Sequence, residues 1–122
     1  MKKFLMIFLT IFLVCGLVGC SSDEEIEVSS VKLQQSLKQN LTSKTLHYVK
    51  ETKIVEDDTN YLKVDIAYTD DILYEGVVNA ITKIVQQECS NEHNEIHLTI
   101  IQEEPHDFIK YIYKNKKWNR EN

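Results

Sequence analysis

The sequence predicts an α+β fold: a small two-layer domain with a mostly antiparallel sheet of four to five strands, one or two helices, and the order α-β-β-α-β-β. Three observations predict it. Leu62, Val64, Ile66 and Tyr68 alternate with Lys63, Asp65 and Ala67, the period of two that a half-buried strand requires. Val77, Val78, Ile81, Ile84 and Val85 recur at helical spacing, with Glu75, Asn79, Lys83, Gln86 and Gln87 on the opposite face. Polar clusters at 56–60 and 90–94 separate these runs where the chain must reverse.

In chain order, Ser30 is placed to cap a helix that runs to about Thr42. On it Leu33, Leu37 and Leu41 repeat every fourth residue, while Lys32, Gln34, Gln35 and Lys38 are polar. Its apolar stripe is narrow, so the helix is expected to lie against a sheet. Thr45–Val55 is rich in β-branched and aromatic residues, and with the 62–68 run it makes a long hairpin around Glu56-Asp57-Asp58-Thr59-Asn60. Asp70 or Asp71 caps the second helix; Tyr74 leads into it and Cys89 closes its apolar stripe. Ile96, Leu98 and Ile100 begin a third strand, Pro105 breaks it, and Ile109, Tyr111 and Tyr113 alternate along a fourth. Asn115-Lys116 then turns the chain back to Trp118. This Tyr113–Trp118 ending resembles the closing hairpin of small exported domains of Gram-positive bacteria, with Lys116 where glycine suits a tight turn better.

The opening MKKFLMIFLTIFLVCGLVGCSS is of another kind. Lys2 and Lys3 are its only charges, and an apolar run of roughly 20 residues is long enough to cross a bilayer. A short basic start, an apolar stretch and a small residue before a cut site instead describe a secretory signal. Leu17-Val18-Gly19-Cys20 resembles the lipobox of bacterial lipoproteins. That resemblance implies a signal peptide over 1–19, cleavage between Gly19 and Cys20, and a diacylglyceryl group on the Cys20 sulfur, with an N-acyl chain as an optional addition. It places the protein at the cell membrane, lipid-anchored on the extracytoplasmic face. No other cofactor is expected. Residues 20–29, with Asp23, Glu24, Glu25 and Glu27, are expected to form a lipidated acidic tether, and 30–122 the single α+β domain.

Loss of Lys2 and Lys3 leaves 12 basic against 19 acidic residues, a balance that argues against a nucleic-acid partner. Basic residues concentrate at the end of the chain, at Lys110, Lys114, Lys116, Lys117 and Arg120. They read as a solvated strand face and tail, or as a contact for anionic lipid or cell-wall polymer. With Cys15 removed and Cys20 acylated, Cys89 has no intramolecular disulfide partner, and its place on an apolar stripe makes it buried and inert. Gly76 is the one glycine left after processing, so there is no glycine-rich phosphate loop.

Cys89-x₃-His93-x₃-His97, with Glu92 and Glu95, contains zinc-ligand residue types. A turn between the histidines removes the shared helical face such spacing needs. A small metal-binding protein or metal-dependent enzyme using His93 and His97 is therefore the alternative reading. Asp57-Asp58 and Asp70-Asp71 are accounted for by a turn and a cap, and no serine lies in a nucleophile-elbow motif. The chain is read as a non-enzymatic module that binds another membrane or surface protein, with Tyr111, Tyr113, Trp118, Lys114 and Lys117 as the candidate surface. A short lipoprotein signal ahead of a small α+β domain is also similar to accessory lipoproteins of conjugative elements and phages. Some of those act in exclusion, blocking redundant entry of the mobile element.

Overall fold

Alternation along one central strand organises the structure. The computed structural model describes residues 24–56, 58–69 and 72–121. Eight elements follow in order: β1 (Glu24–Val28), α1 (Val31–Asn40), β2 (Thr45–Val55), β3 (Asn60–Thr69), α2 (Glu75–Cys89), β4 (Ile96–Gln102), β5 (Asp107–Lys114) and β6 (Lys117–Arg120). The six strands form one sheet in sequential order. The fold is α+β with two helices, as expected, but the sheet is larger and mixed. β3 and β4 run parallel, and every other neighbouring pair is antiparallel. Parallel neighbours need a crossover, and α2 supplies it.

The fifteen residues of α2 return the chain about 22 Å, back to the end where β3 began. Both predicted hairpins form; the crossover sets them side by side. The β5–β6 turn has Asn115 at φ 55° and Lys116 at φ 63°, the left-handed pair of a type I′ turn. Its return strand, β6, completes the closing hairpin expected at Tyr113–Trp118.

The acidic segment 20–29 is not all tether. Glu24–Val28 is an edge strand paired with the end of β2, Glu24 opposite Val55 and Val28 opposite Glu51. Its signal was the alternation of Ile26 and Val28 with Glu25 and Glu27, masked by an acidic composition that suits an exposed edge. Gly19 and Cys20 lie outside the described residues, as do the signal segment, Asp57 and the expected helix cap Asp70 or Asp71. α2 begins behind Tyr74, whose extended backbone (ψ 160°) makes no side-chain cap. Ser30 does precede α1, yet its Oγ donates to the Val49 carbonyl at 3.0 Å and fastens the helix start to β2.

Both helices cover one face of the sheet. Leu33 and Leu37 of α1 and Val78, Ile81, Ile84, Val85 and Cys89 of α2 pack on Leu62, Val64, Ile66 and Tyr68 of β3 and on Ile96, Leu98 and Ile100 of β4. Removing each such side chain from water contributes about 1.5–3 kcal/mol. Among the described residues, the Tyr68 hydroxyl is the buried side-chain polar atom without a partner, and burial pushes its pKa up to about 12.

Cys89 is buried, and its Sγ donates to Glu51 Oε1 at 3.2 Å. Burial, then the Glu51 carboxylate, pushes the thiol pKa well up, so it stays protonated and is a poor nucleophile. Glu51 was not foreseen inside, yet it is 8% exposed. Burial raises its pKa, Glu92 and Glu88 add to the rise, and the Cys89 hydrogen bond opposes it. Below the unfolded carboxyl pKa of about 4.3, both states hold the proton and stability is full. As pH climbs from there through the raised folded pKa, the unfolded chain has already released its proton, and stability falls. Glu51→Gln keeps an acceptor for the thiol and removes this titration. It should raise the melting midpoint at pH 7 by several degrees, since ~1 kcal/mol is worth about 4–8 °C in a domain of this size. At pH 4 the gain should vanish; thermal melts at the two pH values check this, and an equal gain at both contradicts it.

Candidate functional site

The face away from the helices is built by the opposite parity of the same strands. Cross-strand register arranges it in rows. Tyr48, Ala67, Ile101 and Phe108 stand opposite one another in turn across β2 to β5, an apolar row. Lys50, Asp65, Thr99 and Lys110 form the next row, charged with both signs. Below it, Thr52, Lys63, His97 and Ile112 are aligned, and Glu25, Ile54 and Tyr61 make the last row, at the turn end. Two apolar bands are thus separated by charge. Tyr48 is 39% and Phe108 44% exposed.

A groove of about 300 Å³ lies over the lower rows, lined by Ile54, Tyr61, His97 and Ile112, with Lys63, Lys110, Glu25 and Glu121 around it. The Tyr61 and His97 rings stack in it, centroids 3.8 Å apart at 14°. The Tyr61 hydroxyl points to Glu56 Oε1 at 3.5 Å; burial first, then Glu56, raises its pKa and keeps it a donor. His97 Nε2 lies 2.6 Å from Glu95 Oε2, and Lys114 Nζ reaches the other Glu95 oxygen at 3.7 Å. The groove therefore has an aromatic platform held in place from beneath and charges of both signs at its rim. That arrangement suits recognition of a segment with apolar and charged residues.

The three aromatics of the sequence-predicted surface face the other way. Tyr113 is 6% exposed in the core. Tyr111 and Trp118 meet edge to face at 6.3 Å, and Trp118 Nε1 donates to Gln86 Oε1 of α2 at 3.1 Å. Register explains this: Tyr113 sits opposite Ile96 and Tyr111 opposite Leu98, so both share the helix-side parity. These aromatics seat the closing hairpin under α2. Lys114 and Lys117 stay exposed at the turn end. Tyr48, Tyr61, Phe108 and Ile112 were missed as a set, although period-two spacing puts Tyr48 on one face of β2 with Lys50, Thr52 and Ile54.

His93 and His97 are not brought together. His97 lines the open-face groove, whereas His93 borders recesses beside Cys89 and beside the β5–β6 turn. Burial lowers the His93 pKa, favouring neutral imidazole. Among the described residues no group of three or more His, Cys, Asp or Glu is placed to hold a metal ion.

Neither protein-family models, nor curated proteins, nor solved structures match this chain. The functional reading rests on its own residues.

Proposed function

We propose that the chain is a lipid-anchored extracytoplasmic binding module that holds another membrane or surface protein on the uncovered face of its sheet. The observation behind this reading is the one-sided placement of the helices. It leaves a face with two apolar bands, a groove and the exposed rings of Tyr48 and Phe108. Exposed apolar patches with polar rims mark interaction surfaces. The anchor is Cys20 of the Leu17-Val18-Gly19-Cys20 lipobox. Exclusion by a mobile element is a setting in which such a module works, since blocking a partner requires binding and no chemistry.

Capture from detergent-solubilised membranes tests it. Tyr48→Glu and Phe108→Glu should each lower recovery of the partner at least tenfold, because a charge then opposes an apolar contact. Lys83→Glu, on the solvent side of α2, should leave recovery unchanged. Equal recovery by all three folded variants rejects the open face as the binding surface.

A further inference from the structure

We infer that the open face is met in cis: its occupant is a membrane-proximal extracytoplasmic segment of an integral protein in the same bilayer. The inference rests on the anchored-module reading and adds where the partner stands. Two facts carry it. The sheet begins at Glu24, so only four peptide steps separate Cys20 from the first hydrogen-bonded strand. At ~3.3–3.6 Å per residue that is at most about 14 Å, under half of what the nine steps from Cys20 to Ser29 would span as a tether. And Glu24 stands opposite Val55, which stands opposite Asn60, so the chain enters at the end of the sheet that carries the β2–β3 turn.

A height scale follows. The Tyr61 row lies one residue above the entry level, and Ala67, in the Tyr48–Phe108 row, lies seven above Asn60. At about 3.4 Å per residue the upper row is ~24 Å beyond the entry level, so the whole face lies within roughly 40 Å of the bilayer surface. Extracytoplasmic loops of integral proteins occupy that layer. Sharing one membrane also raises the effective concentration of the partner, which lets a modest, half-exposed face hold it. The bands dictate the partner's chemistry. Phe108 and Ile112, which solvent reaches, are four residues apart on β5, so the segment needs apolar contacts about 14 Å apart. Between them it needs charged groups that meet Lys50 and Asp65.

The test uses the full lipidated chain in living cells, with a photo-reactive phenylalanine analogue at position 108. Ultraviolet light should give an adduct with an integral membrane protein of the same cell. Inserting a largely helical 30-residue spacer of alternating Glu, Ala and Lys between Asp23 and Glu24 adds about 45 Å and leaves every strand intact. Adduct yield should then drop at least tenfold. Unchanged yield with the spacer, while Tyr48→Glu abolishes the adduct, overturns the cis inference and leaves the binding face standing. Mixing with isotope-labelled cells that lack the chain should give no labelled adduct; labelled adduct also overturns it. No adduct from the unmodified tether rejects the binding-face reading, and the inference with it.

Discussion

Ile66→Ala should cost the domain about 2–5 kcal/mol, the range for emptying a well-packed aliphatic site. Ile66 is wholly buried in the central strand, opposite Val49 on one side and Ile100 on the other, on the face both helices cover. Strands hold it from both flanks, so the cavity has little scope to collapse. Domains of this size have only about 5–15 kcal/mol of net stability, so the variant should lose a large share of it. Urea unfolding should show a lower midpoint with an unchanged slope. Ile112→Ala, on the open face, should cost far less, because water already reaches that site. Comparable losses at the two positions contradict the assignment of the core to one face.

Cys20→Ala should abolish acylation of the chain and leave it as unprocessed precursor or as released protein. Sulfur is the atom that forms the thioether, and alanine offers no substitute. Each buried CH₂ of an acyl chain contributes about 0.8 kcal/mol, and one chain alone holds a protein only marginally, so the released form should lose membrane association, while an unprocessed precursor keeps its apolar signal. Among the described residues no helix is long and apolar enough to cross a membrane in its place. Incorporation of labelled palmitate, read with the size of the product, decides the matter: label retained by the variant rejects Cys20 as the lipid site.

Much of the fold was legible in the residues. The Thr45–Val55 strand, the 62–68 alternation, the stripe of α2 and the turn at Asn115-Lys116 all lie where periodicity placed them. β1 was not legible, because five residues with three acids fit a solvated tether as well as an edge strand, and only pairing with β2 separates the two. The candidate site was harder. Tyr111 and Tyr113 alternate with Lys110 and Ile112, and alternation says that two faces exist without saying which one the helices cover.

The sequence by itself determined the class of fold, the burial of Cys89 as an expectation, and a lipobox reading that proposes where the protein resides. These follow from local patterns: a period of two, a period of 3.6, and four residues around a cysteine. The tertiary structure alone decided that β3 and β4 lie parallel, that Glu51 turns inward to Cys89, and that Tyr113 and Trp118 are covered while Tyr48 and Phe108 are not. The physical reason is that each of these depends on which strand becomes whose neighbour and on which side α2 crosses. Contacts between distant residues settle that choice, and no local spacing records it.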